Sequence, residues 1–377
     1  MMHQLGIPLA ILGFIAVVGP LVFLHELGHY GAGRLFGVKA EVFSIGMGRE
    51  LFGWTDRRGT RWKVSALPIG GYVKFAGDMG PASEPDPAWL RLPPEERAQT
   101  LQGRPVWQRF LVVLAGPATN FLIAIAIFIG FFAAWGVPQT PALIQGVVPG
   151  SAAAEAGLRP GDRIVSIAGR STDTFEKVRE MIGLRPGQRV TLGVMRAGHL
   201  TEVPVVPKKV VDVDDAGNKI EHGLLGVMPG APVQHRVGPV ATVAAAIDAT
   251  WDTVRTMVDL IGQIIGGERS AKDLGGPLKI AQFSGQRVSL GLLPVIDFMA
   301  LISINLGFIN LLPIPLLDGG HLFFYLIEGV RRRPLPAQAQ EWAFRSGLAL
   351  LLGFMLFVTA NDLASFGIWR RLAGLIG

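Results

Sequence analysis

Cysteine is absent from this 377-residue chain, and charge is thin, at 17% of residues. The first absence excludes disulfides and thiolate metal sites, so any metal must be held by His, Asp or Glu. The second, beside a hydrophobic content of 50%, excludes an ordinary soluble protein and points to a membrane protein. There is no aromatic-interleaved basic patch and no zinc finger, so nucleic-acid binding is not expected. The net charge of +6 reads instead as Lys and Arg in cytoplasmic loops. Met1-Met2-His3-Gln4 lacks the positive segment of a cleavable signal peptide, so the first apolar run is expected to be retained.

Histidine is also scarce, at seven, yet two fall in one motif: His25-Glu26-Leu27-Gly28-His29. Residues four apart share a helix face, so His25 and His29 can aim their imidazoles at one ion. Glu26 can then reach a water beside it. Two imidazoles leave a zinc ion short of ligands, so a third must come from elsewhere. The motif ends an uncharged run, residues 5–24, long enough to cross a bilayer. The ion would therefore lie inside or at the edge of the membrane.

Residues 34–109 are different in kind, with twelve Lys or Arg and eight Asp or Glu. Short alternating stretches at 42–45, 61–67 and 72–75, punctuated by glycines, predict β-hairpin material beside the membrane. The acidic, proline-rich loop 81–94 is either a solvated connector or an edge strand that pairs with an extended substrate. A second span covers 110–135, and its Asn120 is expected to face the bundle as structural glue.

Residues 141–228 read as a soluble insert with a short helix, a Pro160-Gly161 turn and a strand. The insert resembles a bacterial PDZ domain, circularly permuted, with Gly223-Leu224-Leu225-Gly226-Val227 as its carboxylate-binding loop. Such domains add an extended peptide to a sheet edge, often by its terminus. His199, His222 and His235 have no ligand spacing and read as surface residues. Residues 241–265 fit an amphipathic helix.

A third apolar stretch, 292–327, contains Asn310, Pro313, Pro315, Asp318 and His321. Its prolines break helical bonding, which in lipid is tolerated only where protein or water shields the backbone. A carboxylate at a helix centre costs roughly 2.5–3.5 kcal/mol on insertion scales. No Lys or Arg in the stretch could pair with it, so Asp318 is the candidate third ligand. His321 reads as interfacial. A fourth span is expected at about 346–360, extending toward Phe366.

Lys and Arg in short loops set orientation. Arg331-Arg332-Arg333 and the basic segment 34–109 are expected on the cytoplasmic side, with the insert and both termini outside; Arg370 and Arg371 run against this. At ~1.5 Å per residue, the histidine pair and Asp318 then reach a similar depth near the cytoplasmic leaflet.

Together with Gly46-x-Gly48, Gly70-Gly71-Tyr72-Val73-Lys74, Ala115-Gly116-Pro117 and Gly275-Gly276-Pro277, these motifs resemble the site-2 protease family, in its bacterial regulator of sigma-E branch. The resemblance covers nearly the whole chain, with room for a single PDZ domain. It implies a zinc-dependent intramembrane protease of the bacterial cytoplasmic (inner) membrane. His25, His29 and Asp318 would be the zinc ligands, and Glu26 the catalytic base. Asn310 would touch the substrate backbone or polarise the scissile carbonyl. The implied substrates are pre-cleaved single-pass membrane proteins, such as anti-sigma factors, and remnant signal peptides. Peptide termini would bind the PDZ domain in the periplasm.

The expected fold is a polytopic α-helical membrane protein with a membrane-associated β-hairpin region and one inserted α+β PDZ domain. Its boundaries are drawn at 1–36 (first transmembrane helix), 37–106 (hairpin region and loop), 107–136 (second helix) and 137–230 (PDZ domain). They continue at 231–290 (amphipathic linker), 291–330 (third segment with Asp318) and 331–377 (loop, fourth helix and C-terminus). Two competing readings are a catalytically idle PDZ scaffold and a metal transporter. The second lacks paired repeats or further polar residues along a conduit.

Overall fold

The computed structural model describes residues 7–78, 89, 91–213, 219–267, 275–333 and 335–365. The first four residues, most of the acidic loop, Phe366 and the Arg370–Arg371 pair lie outside them. The chain divides into two compact units. One comprises Met1–Phe128, Ile247–Leu260 and Arg269–Gly377, and the other Ile129–Ala246 and Ile261–Glu268.

Helix α1 (Ile7–Leu35) carries the histidine motif. It stops where Gly37 turns left-handed (φ +72°) and the Val38 N–H returns to the Gly33 carbonyl. Strands β1 (Ala40–Thr55) and β2 (Arg61–Phe75) follow as one long bent hairpin. The short stretches expected here are therefore pieces of two strands of 16 and 15 residues. Gly46, Gly48 and Gly70, all at positive φ, bend the strands instead of ending them. The first half of β1 registers against both ends of β2, as Ile45↔Gly71 and Ile45↔Val64. Buried Phe43 stacks on Trp62 at 4.4 Å and meets Tyr30 and Phe23 of α1 edge-on, which docks the hairpin on the helix. One turn, α2 (Pro94–Arg97), leads to α3 (Val106–Trp135).

The insert contains β3 (Val137–Gln139), β4 (Ile144–Val147), α4 (Ala152–Glu155), β5 (Arg163–Ile167) and β6 (Arg170–Ser171). It continues with α5 (Phe175–Gly183), β7 (Val190–Arg196), β8 (His199–Val205), β9 (Lys208–Val213), β10 (Lys219–Leu224), β11 (Val227–Pro229) and β12 (Val233–His235). A four-stranded sheet runs β6-β5-β7-β8, and β4 pairs with β11. The buried residues Ile164, Ile167, Leu192 and Val194 of β5 and β7 meet Val178 and Ile182 of α5 in its core. Ser151 and Thr174 cap α4 and α5 by accepting backbone N–H groups of Ala154 and Lys177. Strand β11, which begins at Val227, pairs antiparallel with β4 from the other end of the insert's sequence.

The chain returns through α6 (Pro239–Ile265), α7 (Pro277–Leu290), α8 (Leu292–Leu311), α9 (Asp318–Arg331) and α10 (Ala337–Ser365). Two expectations change here, and the expected proline break in the third segment holds. The segment drawn as a linker holds α7, which packs on α1 so closely that a Cβ on Gly13 would strike the Ser284 and Gly285 backbone. The third segment is two helices, because Pro313 and Pro315 remove two backbone donors and leave a break of tight turns. The fourth helix starts earlier than expected; a Glu341–Arg345 pair at i,i+4 extends it by a polar turn.

Helices α1, α3, α8 and α10 are each long and apolar enough to cross a membrane. They expose residues such as Leu122 and Leu356, at 64% and 73%, which lipid covers without the cost of wetting them. This is a multi-pass membrane protein.

Candidate metal centre

His25 and His29 project from one face of α1, as their spacing dictates. Helix α3 supports both. The His29 Nδ1–H donates to the Val112 carbonyl at 2.9 Å, which leaves Nε2 with its lone pair exposed toward the site. The His25 Nδ1 lies 2.9 Å from Asn120 Nδ2. The small residues of α3 make this approach possible. A Cβ on Gly116 would fall on the His29 imidazole, and one on Gly28 would strike Thr119 and the Ala115 carbonyl.

Asp318 arrives from the broken third segment. Leu312, preceding Pro313, is extended (ψ 139°), as a residue before proline prefers to be. Leu316 sits at φ +82°, a strained value for a residue with a side chain, and the chain then enters α9 at Asp318. The break thus turns a hydrophobic stretch so that the Asp318 carboxylate points back at α1.

The three donor atoms form a near-equilateral triangle. His25 Nε2 and His29 Nε2 are 3.1 and 3.4 Å from Asp318 Oδ2, and 3.2 Å from each other. Ligands on a tetrahedral ion at about 2.0–2.1 Å lie roughly 3.3 Å apart, so the triangle is one face of such a site. Asp318 Oδ2 is buried, and among the described residues no donor meets it in hydrogen-bonding geometry despite the imidazole 3.1 Å away. A buried carboxylate oxygen left so is costly unless a cation shares it. With no thiolates available, the His2Asp set suits zinc.

These groups line one cavity of about 610 Å³. Glu26 and Asn310 face into it too, with Gly70, Gly71, Tyr72 and Val73 of β2 forming a wall. The Glu26 carboxylate accepts the Val73 backbone N–H, which ties it to the hairpin. His321, read from sequence as interfacial, is instead buried beside Phe344 and lines this cavity one turn after Asp318. His199 and His235 are exposed and His222 half-buried, all far along the chain from the site and within the insert. Asn120 is the residue whose place the sequence understated: it is fully buried and touches a candidate ligand. An amide in an apolar span was the signal, but it did not say which partner it meets.

The chain matches the peptidase family M50 over residues 13–354. It is 46% identical over 360 residues to a protein of Agrobacterium fabrum named for zinc metalloprotease activity, covering 94% of this chain and 96% of that one. It is 34% identical over 397 residues to the metalloprotease MmpA of Caulobacter vibrioides, covering 99% and 100%. Among solved structures it is similar to the PDZ domain of an SdrC-like protein from Listeria innocua, at 19% identity and a TM-score of 0.20 over 25% of this chain and 99% of that one. Matched over nearly its whole length, the chain is a zinc metalloprotease and belongs to peptidase family M50, the site-2 proteases.

Proposed function

We propose that His25, His29 and Asp318 hold the zinc and that Glu26 is the general base for cleaving peptide bonds inside transmembrane segments. The observation that carries this is the triangle of donor atoms with Glu26 in the same cavity. Bound zinc supplies Lewis acidity to the scissile carbonyl and to the attacking water. Glu26 takes that water's proton on its carboxylate and passes it to the leaving nitrogen. Asn310, on the cavity wall, contacts the substrate backbone or its carbonyl.

A transmembrane helix hides its scissile bond in its own hydrogen bonds, so the substrate must unwind first. The β2 wall beside Glu26 offers backbone groups to the unwound strand. The substrates are single-pass membrane proteins already trimmed outside, of the anti-sigma type, and leftover signal peptides. The enzyme sits in the bacterial inner membrane with its site near the cytoplasmic leaflet. The PDZ-like insert binds peptide termini in the periplasm.

The test compares membranes carrying the wild type with membranes carrying Glu26→Gln. The variant should bind zinc as the wild type does and accumulate single-pass fragments that the wild type removes. Continued removal of those fragments by the variant would take Glu26 out of the chemistry.

A further inference from the structure

The two imidazoles are supported differently. Val112 offers His29 a carbonyl, which can only accept, so the His29 proton is fixed on Nδ1. Asn120 offers His25 an amide, which can present either an oxygen or an NH2. As it stands, Nδ2 faces His25 Nδ1 at 2.9 Å, while Asn120 Oδ1 is buried with no hydrogen-bond partner. An NH2 can only donate, so this arrangement puts a lone pair on Nδ1 and the ring proton on Nε2. That proton then meets the His29 Nε2 lone pair, 3.2 Å away, while Asp318 Oδ2 at 3.1 Å stays outside hydrogen-bonding geometry. His25 so arranged cannot ligate a metal through Nε2.

A half-turn of the amide exchanges its two ends with almost no change in shape. Oδ1 would then accept an Nδ1–H and free the Nε2 lone pair. Either orientation leaves one end of the amide without a partner, so the amide itself has little preference and the imidazole decides. The Asn120 backbone is held throughout, because its carbonyl accepts the Ser303 hydroxyl of α8 at 2.7 Å. We infer that Asn120 is the positioning residue for His25, turning its amide to select the tautomer that can bind zinc. This rests on His25 being a ligand.

The experiment measures zinc affinity of the purified full-length protein by chelator competition, with the visible spectrum of its cobalt-substituted form. Asn120→Leu keeps the shape and loses the acceptor; zinc should bind ~10–100-fold more weakly and the cobalt bands should shift. Asn120→Asp is a permanent acceptor and should bind zinc at least as well as the wild type. Ser303→Ala removes the backbone tether alone and should leave affinity unchanged. Wild-type affinity and spectrum in Asn120→Leu would overturn the inference. So would an Asn120→Asp variant as weak as Asn120→Leu, which also decides the matter if the leucine variant fails to fold. His25→Ala separates the two levels: unchanged zinc affinity there would refute the ligand assignment itself, whereas its loss beside a normal Asn120→Leu would refute only the role of Asn120.

Discussion

Asp162 in the insert and Asp318 in the membrane unit are both carboxylates withdrawn from water, and they are treated in opposite ways. Asp162, 2% exposed, receives Arg196 through both of its oxygens, at 2.8 and 2.6 Å, and the Arg159 N–H at 2.8 Å. Its hydrogen-bonding capacity is filled by protein. Asp318 faces two imidazoles, and its Oδ2 has no properly aimed donor among the described residues. A satisfied buried carboxylate holds a fold together, whereas one left short at metal-ligand spacing marks chemistry.

The sharpest way to break this contrast is to neutralise each carboxylate in turn. Asp318→Asn should weaken zinc binding by more than the ~10–100-fold typical when a ligand's supporting group is lost. Without zinc, the same variant should unfold no more easily than the wild type, because an uncompensated buried charge has been removed. Asp162→Asn should do the reverse, loosening the insert while zinc affinity stays at the wild-type level. Chelator titration and thermal unfolding of the full chain, each with and without zinc, check both. A metal-free Asp318→Asn protein that is markedly destabilised would make that carboxylate structural after all.

Next in size is a change in the insert's core. Leu192 is fully buried among Ile164, Ile167 and Val194. Leu192→Ala should cost the insert about 2–5 kcal/mol from lost burial and the cavity left behind. Hydrogen exchange in β5, β7 and β8 should speed up accordingly, with zinc affinity unaltered. Loss of zinc in this variant would mean that the site depends on the insert's packing.

Legibility in the sequence follows the same division. Hydropathy reads the four spans directly, because lipid penalises every charge within them. The histidine pair is legible because four residues is about one helical turn, and Asp318 because it follows the prolines of an apolar stretch that has no Lys or Arg to pair with it. What the sequence hides is set by distant contacts. The Asp362 carboxylate on α10 accepts the Gly276 and Lys279 N–H groups and so caps α7 from 86 residues away, which no local pattern announces. The left-handed Leu316, the burial of His321 and the His25 contact of Asn120 likewise exist only once helices from different parts of the chain are packed. Proline spacing foretold that the third segment breaks, but not that the break would aim Asp318 at α1.

The smallest expected effect refines the Asp162 side of the comparison. The Arg196 guanidinium holds the Asp162 carboxyl below its ordinary value, and the Arg159 N–H adds to this. A depressed carboxyl stabilises the folded insert above the unfolded value, near 3.9, and loses that contribution as pH falls through the folded value. Protection of β5 and β7 amides from hydrogen exchange, corrected for intrinsic rates, should therefore be level above about pH 5 and fall on further acidification. Arg196→Met should lower the plateau slightly and flatten the acid slope, since Arg196 is partly exposed and water screens the pair. Asp173 is also depressed by its Lys177 partner, but it lies at the exposed start of α5, so its titration should touch that helix end more than β5 and β7. An acid slope in β5 and β7 that survives Arg196→Met would assign the effect to another carboxylate and remove Asp162 as the counterpart of Asp318.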